Sequence, residues 1–144
     1  MNPDDLRFDY RGTGPLQPQD DYHHHIKMVI AIRRDLKMRQ GKAVAQGAHA
    51  AMMFMVDHGI DRIDLDPLEY QWFAEGMSKI CVRVDSAEEL TDIIAKAKSL
   101  GLKVFSITDA GRTEFHGVPT MTCCAIGPDY ADRINEVTGH LKLL

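Results

Sequence analysis

Cysteine is scarce in this chain, tryptophan occurs once, and long apolar runs are missing. Cys81, Cys123 and Cys124 are odd in number and show no C-x-x-C spacing. That excludes a disulfide framework and a cysteine zinc site, and leaves free, mostly buried thiols. Cys123 and Cys124 are neighbours in a strand-like run, so their side chains should face opposite ways. No apolar stretch approaches the roughly 20 residues that a membrane span needs. The first residues carry Asp4 and Asp5 in place of an apolar leader core, so the expected compartment is the cytosol. Neither charge dominates: 17 Lys and Arg against 21 Asp and Glu give a net charge of -4. A wholesale nucleic-acid coat is therefore excluded. A local basic patch is not, because the field at a site depends on nearby charges more than on the sum. No G-x-x-x-x-G-K-[ST] loop is present, which ranks a small-molecule nucleotide-binding protein last among the readings.

What remains is 144 residues of ordinary globular composition, enough for one domain with a real core. Residues 1–25 read as a tail, broken by Pro3, Gly12, Gly14, Pro15 and Pro18. His23-His24-His25 fits a short polar tail better than a metal site. Residues 26–144 form the domain. Met28 to Ile32 is an apolar, β-branched run of strand length. Arg33, Arg34, Lys37, Arg39 and Lys42 then crowd into a short loop with one anion, Asp35. A helix starts by Ala43 and ends at His58-Gly59. On its wheel Val44, Ala48, Ala51, Met52 and Met55 form one stripe, which should face the core. Lys42, Gln46 and His49 line a second, polar stripe. Such a stripe beside a cationic loop suits anion binding, and is equally the ordinary wet side of a helix.

The rest of the chain alternates. Asp66-Pro67 opens a short helix over Leu68 to Glu75, whose Trp72 and Phe73 read as packing. Lys79 to Val84 is a strand. Ser86 and Glu89 form a capping box before an apolar stripe of Leu90, Ile93, Ile94, Ala97 and Leu100, closed by Gly101. Lys103 to Thr108 is the third strand and Thr120 to Ile126 the fourth. Gly127-Pro128 turns the chain into a last helix over Asp129 to Val137, and Leu141 to Leu144 should tuck back onto the body. Strand, helix, strand recurs, which implies crossovers and at least partly parallel pairing. Binding sites in such sheets gather outside the C-terminal ends of parallel strands. If the first and third strands run parallel, Lys42 and Asp109 share a rim with Thr113, and Thr122 approaches from the fourth strand. By pattern alone, Arg112 competes to pair Asp109.

Several blocks carry a family resemblance. Lys37-Met38-x-x-Gly41-Lys42-x-x-Ala45-Gln46-x-x-His49-Ala50 resembles the signature of the type II peptidyl-tRNA hydrolases, the archaeal and eukaryotic kind. Asp109-Ala110-Gly111-Arg112-Thr113 is similar to that family's second block. Thr120-x-Thr122-Cys123 through Ala125-Ile126-Gly127-Pro128 is similar to the third, and Thr138 to Leu144 to its C-terminus. The resemblance covers about residues 26–144, in the family's order. It implies an α/β fold of three layers, with a four-stranded, mixed, mostly parallel sheet flanked by helices. It implies hydrolysis of the ester joining a peptide to the 3′ end of tRNA, frequent homodimers and no metal; no cofactor and no membrane partner are expected. Lys42, Asp109, Thr113 and Thr122 match the family's catalytic positions, and Gln46 and His49 the helix motif beside them; His49 is a rival base. Arg33, Arg34, Lys37, Arg39, Gln46 and Arg112 are the expected substrate-binding set. The chain departs from the common pattern at Arg39 and Gln40, where the family commonly has Gly and Lys, and in a longer loop over residues 114–119. A tRNA-binding adaptor that has lost turnover is the alternative.

Overall fold

The computed structural model describes residues 25–144; the expected tail, with His23 and His24, lies outside them except for His25, whose carbonyl accepts the Ala131 N–H at 2.7 Å and whose ring lies 3.1 Å from the Ser78 hydroxyl. The elements in order are β1 (Ile26–Arg33), α1 (Gln40–Asp57), α2 (Pro67–Ala74), β2 (Lys79–Val84), α3 (Ala87–Ser99), β3 (Val104–Asp109), β4 (Thr120–Tyr130) and α4 (Ala131–Thr138). A single 3-10 turn, Arg34–Leu36, links β1 towards α1. The sheet order is β2-β1-β4-β3. β1 pairs parallel with β2, and β4 pairs antiparallel with both β1 and β3. Three strands therefore share one direction, although only one adjacent pair is parallel, because β4 is inserted between β1 and β3. The C-terminal ends of β1, β2 and β3 and the start of β4 meet on one rim.

The strand β1 is apolar on both faces because it is central, and its alternation divides the core. Val29 and Ala31 join Leu90, Ile93 and Ala97 of α3 and Ile134 and Val137 of α4. Met28, Ile30 and Ile32 join Ala50 and Phe54 of α1 and Trp72 of α2. Two helices thus cover each face, which makes the three layers. Cys123 and Cys124 fall in opposite layers, as strand alternation requires. Both are buried, and burial pushes their thiols up to about 11 and about 12; Cys81 is exposed. Trp72 is a packing residue. It meets Phe54 edge-on with ring centroids 5.7 Å apart and donates to the Ser78 carbonyl at 2.9 Å.

Helix α1 is turned relative to the wheel expectation. Val44 is 66% exposed and Met52 56%, and Ala48 is exposed with them. The buried residues are Gln46, Gly47, Ala50 and Phe54. Small and apolar residues surround this helix, so its amphipathicity is weak and cannot set its rotation. Its contacts set it instead: the buried Gln46 is hydrogen-bonded to Thr122 of β4, and Phe54 packs on Trp72 and Phe73 of α2.

The other element boundaries follow from capping. Asp66 and Glu69 form a reciprocal capping box on α2, with bonds of 2.8 and 2.9 Å. Glu69 is fully buried and also takes His58 at 2.9 Å and Lys103 at 3.4 Å, tying the end of α1 to α2 and to the approach of β3. Ser86 caps α3, but the Glu89 carboxylate takes the Asp85 N–H in place of the Ser86 N–H. Gly127-Pro128 does not end β4. The strand continues through a cis peptide and a register shift to Tyr130. The C-terminal segment does fold back, but through its backbone: Leu143 bridges Val82 while its side chain and that of Leu144 stay exposed.

Phe54 is 2% exposed and touches both aromatic neighbours in the α1–α2 layer. Phe54→Ala should lower unfolding free energy by about 3–5 kcal/mol, read from urea denaturation as a lower midpoint at unchanged slope.

Candidate active site

The rim holds a hydrogen-bonded cluster built from three elements. Lys42 lies in the first turn of α1, where a cation opposes the helix dipole and benefits from a nearby anion. Asp109 is the last residue of β3 and supplies that anion: Lys42 Nζ donates to Asp109 Oδ2 at 2.5 Å. Lys42 also reaches Thr113 Oγ1 at 3.3 Å. Gln46, one turn further along α1, donates to the same Asp109 oxygen at 3.3 Å. The other carboxylate oxygen accepts the Gly111 N–H at 2.8 Å. Gly111 has φ +81°, and a Cβ there would collide with the Val118 backbone, so only glycine closes this turn under Asp109.

Thr122 occupies a special place. β3 pairs Ile107 with Cys123 but Thr108 with Met121, so Thr122 is the extra residue of a β-bulge. The bulge breaks alternation there, and Thr122 and Cys123 both point at Gln46. Thr122 Oγ1 donates to Gln46 Oε1 at 2.5 Å, and Cys123 Sγ lies 3.4 Å from the Gln46 carbonyl. Thr122 is fully buried. Its hydroxyl therefore meets Gln46 and not solvent, and it fixes which end of the amide faces Asp109.

The remaining expected site residues divide. Arg34, Lys37 and Arg39 are exposed on the loop before α1 and make no ion pair among the described residues. Arg33 is partly buried and engaged, donating to Asp35 at 2.6 Å and to the Met121 carbonyl at 3.1 Å. His49 is exposed and has no hydrogen bond to the cluster. Arg112 is exposed and does not pair Asp109; Lys42 holds that carboxylate instead. Among the described residues no group of His, Cys, Asp and Glu is arranged to hold a metal. Sequence reading missed the Gly111 N–H, although a glycine two residues after an acid is a turn signal, and the bulge, which has no local sequence signal here.

Fold and cluster together define a three-layer α/β protein with a polar ammonium–carboxylate site on the strand-end rim. Comparison with known proteins gives the family. The chain belongs to the family described as peptidyl-tRNA hydrolase PTH2, whose model matches residues 26–144. A protein of Methanocaldococcus jannaschii named peptidyl-tRNA hydrolase is 44% identical over 120 residues, covering 83% of this chain and 100% of that protein. One of the same name from Metallosphaera sedula is 43% identical over 119 residues, covering 83% and 100%. The human protein named peptidyl-tRNA hydrolase 2, mitochondrial, is 44% identical over 117 residues, covering 81% of this chain and 63% of that protein. A solved Agrobacterium protein of unknown function has a similar fold at TM-score 0.52 and 10% identity, covering 83% and 97%.

The hydrogen bond from the Lys42 ammonium, followed by that from the Gly111 N–H, holds the Asp109 carboxyl below its ordinary 3.8. Because the folded value is the lower one, its contribution to stability is present above 3.8 and is lost as pH falls through the folded value. Carboxyl-carbon NMR should show Asp109 titrating below 3.8, and Lys42→Met should move that midpoint upward. An unchanged midpoint would show that the ammonium is not what holds the charge.

Proposed function

We propose that this chain hydrolyses the ester between a peptide, or an N-blocked aminoacyl group, and the 3′ end of tRNA. The observation that carries the reading is the Lys42–Asp109–Gln46–Thr122 cluster beside an exposed cationic loop, in a chain of the PTH2 family. The substrate ester is already activated, so catalysis needs a directed water and charge stabilisation. Asp109, held ionised, accepts a hydrogen bond from that water and aligns it with the ester carbonyl. Lys42 supplies the cation at the developing oxyanion. Water oxygen bonds to the carbonyl carbon, the bond to the ribose oxygen breaks, and that oxygen leaves with a proton as the tRNA 3′ hydroxyl. As Lys42 turns towards the oxyanion, Asp109 loses its strongest stabiliser and its proton affinity rises when a base is needed.

Thr113, exposed and within reach of Lys42, is placed to meet water or substrate. Thr122 and Gln46 act behind Asp109 by holding its orientation. His49 is not needed for this route. Arg34, Lys37 and Arg39 face tRNA phosphates, and Arg112 extends that charge beyond Asp109. The three cluster elements are too well connected to favour a binding module that has lost turnover. No helix among the described residues is long and apolar enough to cross a membrane, and we place the protein in the cytosol.

We also propose a homodimer. The exposed apolar stripe of α1, with Val44, Met52 and Val56, supports it, since a second copy would bury that stripe. Met52→Glu should then yield a monomer in sedimentation, and a wild-type monomer would refute the dimer.

Lys42→Ala and Asp109→Asn should each lower hydrolysis of N-acetyl-aminoacyl-tRNA by about 10²–10³ while the fold is kept by circular dichroism. Affinity should fall with salt, less steeply in Arg34→Ala, Lys37→Ala and Arg39→Ala. Near-normal turnover in both cluster variants would end the assignment.

A further inference from the structure

The sheet has two edges, and the chain treats them differently. The outer edge of β2 is covered by the C-terminal residues: Arg83 donates to the Lys142 carbonyl at 3.0 Å and Leu144 to the Cys81 carbonyl at 3.1 Å. The outer edge of β3 has no backbone partner among the described residues. Uncovered edges are normally blunted, because their free N–H and C=O groups invite another strand. Which groups are free follows from the register. Gly127 donates to the Lys103 carbonyl at 2.9 Å, beside the Val104–Ile126 pair. Val104–Ile126 is thus a non-hydrogen-bonded pair, and Phe105 and Ile107 direct their backbone groups at β4. Val104 and Ser106 direct theirs outward. Ser106 and Thr108 are also exposed on their side chains, so the edge is polar and not adhesive.

This open edge ends at Asp109, inside the catalytic cluster. Resting on the hydrolase reading above, we propose that the outer edge of β3 holds the peptide part of the substrate as an added parallel strand. Polarity selects that arrangement. The scissile ester sits at the C-terminal end of the peptide, and β3 runs towards the cluster. A peptide whose C-terminal carbonyl lies at Asp109 therefore runs parallel to β3, with its N-terminal part leaving past Val104. From Val104 to Asp109 the strand spans roughly 17 Å, enough for about four or five peptide residues. Backbone pairing reads no side chains, which suits a substrate whose peptide has no fixed sequence. The cationic loop lies at the end of β1, on the other side of β4 from β3, so the tRNA and peptide parts leave the cluster in different directions.

The test compares three tRNA esters on the full-length enzyme: a single N-acetylated residue, an N-acetylated tetrapeptide, and that tetrapeptide N-methylated at each peptide nitrogen. kcat/KM should rise about tenfold or more from one residue to four, the worth of one or two net hydrogen bonds. N-methylation should abolish the gain. Ser106→Pro removes an outward N–H at an edge position that tolerates proline, and should lower the four-to-one ratio towards unity. Equal kcat/KM for all three esters would overturn the proposal, as would a Ser106→Pro enzyme that turned from dimer to monomer in sedimentation, since the edge would then belong to a second copy. The methylated ester gives its answer on the unaltered enzyme, so the outcome does not hang on the variant folding. Absent turnover of all three esters would instead overturn the hydrolase reading beneath it.

Discussion

The ion pair between Lys42 and Asp109 joins residues 67 apart in sequence, and the site exists only because the sheet brings them together. Lys42 is delivered by the loop that follows β1. Asp109 is the end of β3 itself. They share a rim because β1 and β3 run in the same direction with β4 between them. A sheet in which β3 paired antiparallel to β1 would put the carboxylate at the far end of the molecule. Strand direction is therefore the first determinant of chemistry here, and the side chains refine what it allows.

The refinement comes mostly from behind. Asp109 faces one ammonium, one amide and one backbone N–H, and the amide is aimed by Thr122. Had β4 kept a regular register, Thr122 and Cys123 would point to opposite layers, and only one could reach Gln46. The bulge costs a ladder hydrogen bond and turns an interior hydroxyl towards the cluster. Burial then makes that bond consequential, since a Gln46 carbonyl left without its donor has no water to replace it.

Much of this was legible from sequence, for identifiable reasons. Lys79 to Val84 alternates over its whole length, and Ser86 and Gly101 bracket their helix, so local signals and tertiary structure agree there. The rim was legible through the recurrence of strand, helix, strand. The rotation of α1 was not. Val44, Met52 and Val56 are as apolar as the residues that point inward, and the decision belongs to packing against α2 and to a hydrogen bond with a strand far away in sequence. Gly127-Pro128 carries a strong turn signal, yet the strand absorbs it as a cis peptide with a register shift. Arg33 and Arg112 show the same limit for charge: composition says that cations are near, and only geometry says which of them is engaged.

That distinction changes the electrostatic account of the loop. Arg33 is neutralised by Asp35 and Lys42 by Asp109, so the crowding of five cations overstates the field. What is left for an incoming polyanion is Arg34, Lys37 and Arg39, all exposed, beside the uncapped N-terminus of α1. The net charge of -4 is spread over the whole chain. At physiological ionic strength a charge is felt over only about 8 Å, so carboxylates on the far helices do not cancel a compact group of three arginine and lysine side chains. An acidic protein can thus bind a polyanion through one edge.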